Sequence, residues 1–200
     1  MIVKQIAVGT MANFVYLLVD PDSKEAMAVD SGWETAPIVR EVEEMNVKVR
    51  FAVATHEHFD HTSTIRELTY QLGAQVVAHE SSPIDHDLDV RDGQELRLGR
   101  KGVRVLHTPG HTEDSICLYD GKVLFTGDTL FIGTIGRFEK ERSQAMFDSL
   151  HDVIGKLPDG TVVYPGHDYG EVPFRTLGEE KAANPFLQTQ DLRSFVSLFA

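Results

Sequence analysis

The stretch that most constrains this chain is Thr55-His56-Glu57-His58-Phe59-Asp60-His61. It follows the apolar run 51–54, which is short enough for a buried strand, and it precedes the segment 62–68, which is typical of a helix start. Three imidazoles and a carboxylate so close together are hard to explain as packing, whereas zinc, iron and manganese use such groups as ligands. The sequence therefore predicts a metal site at a strand-to-helix junction.

The spacing within this stretch divides the donors into two pairs. Residues two apart on an extended chain project to the same side, so His56 and His58 can bind one ion. Asp60 and His61 fall where the chain turns into the predicted helix and point elsewhere. They can therefore serve a second ion.

Three further motifs each present one potential ligand directly after a predicted strand, beside glycine or proline. They are Thr108-Pro109-Gly110-His111-Thr112, Gly127-Asp128-Thr129 and Tyr164-Pro165-Gly166-His167-Asp168. Loops that a rigid scaffold holds at strand ends are where ligands and catalytic groups usually lie. One such residue alone is mostly a turn residue, but together with the first stretch the three predict one shared site.

Composition narrows the function further. The length of 200 residues predicts one domain over 1–200. The formal net charge of −12 argues against binding to nucleic acid and against binding to an anionic membrane surface. The single Cys117 lies in an apolar strand-like run, which predicts a buried, inert thiol and excludes a cysteine-based zinc site. The first residues do not resemble a signal peptide, and the apolar run 14–19 is too short to cross a bilayer, so we expect a cytoplasmic protein.

Hydrophobic periodicity predicts an α/β (α+β) fold in which two sheets have helices outside them. The predicted strands are 2–8, 13–19, 25–30, 51–55, 75–78, 96–98, 103–106, 115–119, 122–126 and 161–164. The predicted helices are 37–45, 62–72, 143–157 and 191–199. Of the remaining histidines, His79, His86 and His151 are expected to be structural or exposed, while His107 could support a ligand from behind.

The ordered set THEHFDH, PGHT, GDT and PGHDYG resembles the metallo-β-lactamase superfamily over nearly the whole chain. The resemblance implies a four-layer αββα sandwich of two mixed β-sheets flanked by helices, with the metal site on the edge between the sheets. It also implies two divalent ions, either zinc, iron or manganese. The implied ligands are His56, His58 and His111 for the first ion, Asp60, His61 and His167 for the second, and Asp128 bridging both.

Within the superfamily, residues 125–131 followed by Gly136-Arg137-Phe138 resemble the glyoxalase II group, which hydrolyses glutathione thioesters. That resemblance implies that a hydroxide held by the two ions attacks the thioester carbonyl, that Asp60 steers its proton, and that Arg137 and Tyr169 hold the substrate. The chain departs from the group in two respects. Only about thirty residues follow PGHDYG, where those enzymes have a further cationic helical domain, and Glu139 stands where they often place a tyrosine.

A second resemblance is to the persulfide dioxygenases, and it is carried by PGHDYG, Glu179-Glu180-Lys181 and Asn184-Pro185. Those enzymes use one iron, Fe(II), at positions matching His56, His111 and Asp128. Two features argue against it: the arginine expected just before the Gly-x-Gly-Arg segment is replaced by Ile132-Gly133, and Phe138-Glu139 replaces Thr-Asp.

Lactone or β-lactam hydrolysis by the same site remains a further alternative. In each case the expected partner is a small-molecule substrate, in the first a glutathione-type thioester. The apolar terminal segment 193–199 either packs on the sandwich or joins two copies in a homodimer, and the sequence leaves both open.

Overall fold

The computed structural model describes residues 1–199 and contains two six-stranded sheets. The first sheet follows chain order and consists of β1 (Ile2–Val8), β2 (Asn13–Val19), β3 (Glu25–Val29), β4 (Lys48–Val53), β5 (Gln75–His79) and β6 (Leu88–Val90). Strands β1 to β3 are antiparallel, and β3 to β6 are parallel. All seven residues of β2 are buried, because both faces of this sheet are covered.

The second sheet runs in the reverse spatial order, from the carboxyl-terminal strand to the earliest one. It consists of β7 (Glu95–Leu98), β8 (Lys101–His107), β9 (Ile116–Tyr119), β10 (Val123–Gly127), β11 (Val162–Pro165) and β12 (Arg175–Thr176). Its neighbours pair antiparallel except β10 and β11, which are parallel. Both sheets are therefore mixed.

Residues 1–199 contain six α-helices, five of which pack on the outer faces of the sheets. The six are α1 (Ala36–Met45), α2 (Phe59–Thr62), α3 (Ile65–Leu72), α4 (Ser143–Asp148), α5 (Leu177–Ala183) and α6 (Leu192–Ser197). Helix α2 lies at the edge where the sheets meet. Helices α1 and α3 pack on the outer face of the first sheet, through Ile38 and Leu68 among others. Helices α4 to α6 pack on the second sheet, through Met146, Leu177 and Phe195.

The core between the sheets completes a four-layer αββα sandwich. Inner-face residues of the first sheet, such as Tyr16 and Met27, form one apolar cluster with Val105, Ile116 and Phe125 of the second. The predicted architecture is confirmed. The terminal segment packs inside the molecule in part, since Phe195 is fully buried, although Phe199 remains half exposed.

Two predicted helices need correction, and three short elements were not predicted. The predicted helix 143–157 is helical throughout but not one α-helix: α4 gives way to a π-helical turn at Ser149–Val153 and a 3₁₀ turn at Ile154–Lys156. The predicted helix 62–72 starts earlier and breaks between α2 and α3. The short strands β6 and β12 and the helix α5 were not predicted, because segments of three, two and seven residues carry little periodicity.

None of the helices within residues 1–199 is both long and apolar enough to cross a membrane. Cys117 is buried in β9, as the sequence predicts. Its sulfur lies beside the hydroxyl group of Thr108. Burial raises the pKa of its thiol to about 12, so the sulfur stays protonated at neutral pH.

A buried carboxylate ties α5 to the loop that follows β10. Glu180 is fully buried, and its side chain accepts hydrogen bonds from the backbone N–H of Gly133 at 2.9 Å and from the amide of Asn184 at 3.0 Å. The guanidinium of Arg175 lies 3.3 Å from its other oxygen. Because both oxygens of the Glu180 carboxylate have partners, its burial carries no large free-energy penalty.

Replacing Glu180 with Gln should reduce the free energy of unfolding by about 3 kcal/mol, because it leaves Arg175 without its buried counter-ion. Urea unfolding followed by circular dichroism measures the change. Glu171→Gln, at a carboxylate that is almost fully exposed, is the matched control and should leave stability unchanged. Equal stability of the two variants would contradict the role assigned to Glu180.

Candidate metal centre

Seven histidine and aspartate side chains lie in the segments that directly follow four strands, in loops or, for Asp60 and His61, in the short helix α2, all at one edge of the sandwich. They are His56, His58, Asp60 and His61 after β4, His111 after β8, Asp128 after β10, and His167 after β11. The two sheets are joined at this edge, because the backbone N–H of Ile116 in β9 donates to the carbonyl of Thr55 at 2.8 Å. The strand ends therefore present the seven side chains to one another.

The first triad consists of His56, His58 and His111. Nδ1 of His58 lies 3.1 Å from Nε2 of His56 and 2.9 Å from Nε2 of His111. The ligand atoms of all three fall within 4.8 Å of one another. The structure thus brings together the three residues that the resemblance assigns to the first ion, two from the segment after β4 and one from the second sheet.

The second triad consists of Asp60, His61 and His167. Nε2 of His61 lies 3.1 Å from Nε2 of His167, and Oδ2 of Asp60 lies 3.4 Å from each of these nitrogens. All three side chains are buried. Residues 106 positions apart in the chain are brought into contact here.

Asp128 lies between the two triads. Its Oδ2 is 3.5 Å from Nε2 of His111 and 3.4 Å from Nε2 of His167, while its Oδ1 is 3.3 Å from Nε2 of His61. Space around this carboxylate is tight, since a Cβ atom at Gly166 would lie 2.5 Å from Oδ1. A side chain at position 166 would therefore displace Asp128.

Hydrogen bonds on the far side of the rings determine which ring nitrogens carry lone pairs. A carbonyl oxygen can only accept, so Nδ1–H of His111 donates to the carbonyl of Arg137, and Nδ1–H of His167 donates to that of Met11. The hydroxyl of Thr55 donates to Asp30, so it must accept from Nδ1–H of His56. In the neutral form, Nε2 of each of these rings is left with a lone pair facing the triads.

Asp30 lies directly behind His61. Its Oδ2 is 3.2 Å from Nδ1 of His61, and the carboxylate also accepts hydrogen bonds from the backbone N–H and the hydroxyl of Thr55. The backbone of Asp30 has a φ of 62°, which is uncommon for a residue other than glycine. The contacts with Thr55 and His61 hold the carboxylate in this conformation.

Burial and the surrounding carboxylates set the protonation of the site. Burial alone would lower the pKa of His61, but Asp128 and Asp30 outweigh it and raise that pKa to about 9. Burial likewise would raise the pKa of Asp128, but the His61 and His167 rings hold it well below its usual range. Burial lowers the pKa of His56, which keeps that ring neutral.

This donor set fits divalent cations. Nε2 of His56 and Nε2 of His111 both direct lone pairs towards Nδ1 of His58 at hydrogen-bonding distance, an arrangement that a cation would stabilise. Oδ1 of Asp128 is buried and has no hydrogen-bond partner in the described residues. A buried carboxylate oxygen without a partner is costly, and an ion would satisfy it.

The two predicted substrate-binding residues each contact one histidine of the centre. The Tyr169 ring stacks on the His167 ring, with centroids 4.6 Å apart and planes at 7°, and it is half exposed. Arg137 holds His111 through its carbonyl and exposes its side chain. Both are thus within reach of a molecule bound over the triads.

His107 does not contact a candidate ligand from behind, the role that the sequence left open for it. Its ring stacks on that of His79 at 4.0 Å, and its Nε2–H donates to the carbonyl of Glu113, so its contacts lie with these residues and not with the seven donors. Sequence reasoning missed Asp30, although it directly follows β3 and lies two residues before Gly32, a signal close to the one that identified the other loops. It also missed Asn13, which begins β2 and contacts Asp60.

Comparison with known proteins bears on this site. The family model of the metallo-beta-lactamase superfamily matches residues 8–82 and 77–167. The mitochondrial persulfide dioxygenase ETHE1 of Homo sapiens is 34% identical over 203 residues, covering 98% of this chain and 80% of that protein. A probable hydroxyacylglutathione hydrolase of Schizosaccharomyces pombe is 30% identical over 221 residues, covering 92% of this chain and 86% of that protein. The crystal structure of ETHE1 from Myxococcus xanthus superposes with a TM-score of 0.92 at 33% identity, covering 99% of this chain and 89% of that one.

The raised pKa of His61 predicts how the stability of the metal-free protein depends on pH. Its folded pKa of about 9 exceeds the unfolded value of roughly 6.5, so the protonated ring adds stability that is fully present below about pH 6.5. This contribution is lost as the pH rises through about 9. The urea midpoint of chelator-treated protein should therefore fall between these pH values.

The His61→Asn variant is the control for this pH dependence. It lacks the titrating ring, so its urea midpoint should fall less over the same pH interval. An identical decline in the variant and the wild type would show that another group is responsible.

Proposed function

The chain belongs to the metallo-beta-lactamase superfamily, and we propose that it is a metal-dependent hydrolase that cleaves a thioester such as an S-acylglutathione into a carboxylic acid and a thiol. The observation that carries the proposal is the pair of complete triads with Asp128 between them. One ion would be held by His56, His58 and His111, and another by Asp60, His61 and His167. Similarity to a hydroxyacylglutathione hydrolase supports the substrate class.

Two divalent ions would supply a water with a pKa near neutrality and a Lewis acid for the carbonyl. Asp128 would bind both ions, which makes each site depend on the same carboxylate. Asp60 faces His61 and His167 through Oδ2, and in the proposal it steers the proton of the attacking water. Neither a serine nor a cysteine nucleophile is required, consistent with the buried, protonated thiol of Cys117.

Arg137 and Tyr169 would hold the thiol carrier. The guanidinium of Arg137 is exposed beside the centre and can pair with a carboxylate of a glutathione-type carrier. Burial, together with the charges of Asp128 and Asp60, raises the pKa of Tyr169, so its hydroxyl remains a neutral hydrogen-bond donor at physiological pH.

A second candidate function is persulfide dioxygenation, and similarity to the two ETHE1 proteins supports it. In that reaction one iron would be held by two histidines and one carboxylate, here His56, His111 and Asp128. The complete second triad has no role in a one-iron reaction. We therefore place hydrolysis first.

Anaerobic turnover separates the two functions. Protein loaded with zinc, and separately with iron, should hydrolyse S-D-lactoylglutathione without oxygen, and Asp128→Ala should lose this activity because it removes the donor shared by both ions. Release of free thiol measures the rate. No hydrolysis with either metal, together with oxygen uptake on glutathione persulfide by the iron form, would overturn the proposal in favour of dioxygenation.

Replacing Arg137 with Gln should raise KM for the same thioester by about 10-fold to 100-fold, because a charge-assisted hydrogen bond is lost. The metal content should not change, since the carbonyl that holds His111 belongs to the backbone. Arg100→Gln, at an exposed arginine in the β7–β8 turn, is the matched control. An unchanged KM in Arg137→Gln would remove this residue from the substrate site.

A further inference from the structure

A chain of hydrogen bonds reaches the second triad from the amino-terminal part of the protein. Asn13, at the start of β2, is 1% exposed and lies beside Asp60. Its amide Nδ2 donates to Oδ2 of Asp60 at 2.9 Å and to the main-chain carbonyl of the same residue at 3.2 Å. On the other side, the indole N–H of Trp33 donates to Oδ1 of Asn13 at 2.7 Å. Three side chains thus form one line from Trp33 to the triad.

The indole determines which end of the Asn13 amide faces the carboxylate. An indole N–H is a donor and never an acceptor, so the amide oxygen must face Trp33 and the NH₂ group must face Asp60. With the amide reversed, two donors would oppose each other at Trp33 and two acceptors at Asp60. The indole N–H of Trp33 therefore fixes the donor and acceptor ends of both hydrogen bonds.

Packing holds the indole in place. A Cβ atom at Gly9, in the β1–β2 turn, would collide with the Trp33 ring, so the turn and the ring lie directly against each other. The ring also makes an edge contact with Phe59, with centroids 5.8 Å apart. Because Phe59 precedes Asp60 in the chain, Trp33 packs against the segment whose carboxylate Asn13 orients.

The oxygen that accepts from Asn13 is the same one that faces the two histidines of the triad. Oδ2 of Asp60 lies 3.4 Å from Nε2 of His61 and from Nε2 of His167. A carboxylate oxygen has two lone pairs, so it can accept an amide hydrogen bond and bind an ion at once. The amide thus holds Asp60 in the position where the triad requires it, without competing for the ion.

We propose that Asn13 and Trp33 are positioning residues that set the affinity of the second triad for its ion. Hydrogen-bonding partners behind metal ligands typically change metal affinity by 10-fold to 100-fold. The first triad should not respond, because His56 is held by Thr55 and His111 by the carbonyl of Arg137. The inference rests on the two-ion site of the proposed function, but not on its substrate.

The test is titration of the chelator-stripped full chain with Co²⁺ alone, followed by visible absorption and by competition with a chelator. Wild type should bind two equivalents. In Asn13→Leu the Co²⁺ affinity of the second triad should fall by about 10-fold to 100-fold, while that of the first triad stays unchanged. Trp33→Phe keeps an aromatic ring but removes the N–H, and it should lower the Co²⁺ affinity of the second triad by a smaller factor. His111→Asn, which removes a donor of the first triad, identifies which absorbance change belongs to which triad.

Asn184→Leu is the matched control, since Asn184 is also a fully buried asparagine whose amide donates to a carboxylate, that of Glu180. It should lower stability without changing either Co²⁺ affinity. The inference is overturned if wild type binds one equivalent, if both equivalents weaken together in Asn13→Leu, or if neither changes. Should Asn13→Leu fail to fold by circular dichroism, Trp33→Phe decides on the same criteria. A wild type that binds two Co²⁺ but cleaves no thioester refutes the proposed substrate and leaves this inference standing.

Discussion

Apolar packing between the two sheets is the constraint on which the rest of the molecule depends. Side chains from the inner faces, such as Tyr16 and Met27 from the first sheet and Val105 and Ile116 from the second, form one core. That core holds the ends of four strands at a common edge, and the donors lie in the loops and in the short helix α2 that follow those ends. No donor loop has to supply its own rigidity, because the sandwich supplies it.

The electrostatics of the edge follow from burial within this scaffold. Asp30 and Asp128 face His61 on two sides, and their charges outweigh the desolvation that would otherwise keep its ring neutral. At His56 burial outweighs the charge of Asp128 and lowers the pKa, so that ring is kept neutral. Protons and divalent ions therefore compete for the same buried side chains, so metal affinity should fall as the pH is lowered.

The two triads are supported by different parts of the chain. Thr55 and Arg137, on the loops after β4 and β10, hold the first triad through His56 and His111. The second triad is held from the amino-terminal part, where the carbonyl of Met11 accepts from His167 and where Asn13 and Asp30 contact Asp60 and His61. The two supports meet at Thr55, whose hydroxyl accepts from His56 and donates to Asp30, and at Asp128, which faces both triads.

The candidate ligands and the presence of two sheets with outer helices could be predicted from local pattern in the sequence. The four-layer arrangement and the assignment of His111, Asp128 and His167 to the two ions came from the family resemblance. A donor placed directly after an apolar run, beside glycine or proline, is visible in the chain itself, as at His111, Asp128 and His167. The strand β12 was missed because two residues carry little periodicity, and nothing in the pattern of 143–157 marks the change to a π-helical turn at Ser149.

The same limit applies to the groups behind the ligands. Asn13 and Trp33 are 47 and 27 positions from Asp60, and nothing in their own neighbourhood marks them. Hydrogen-bond partners across such distances are selected by the fold, and sequence spacing carries no information about them. The sequence by itself determined which side chains could bind metal, while the tertiary structure alone decided which of them meet, which ring nitrogens carry free lone pairs, and what holds each one in place.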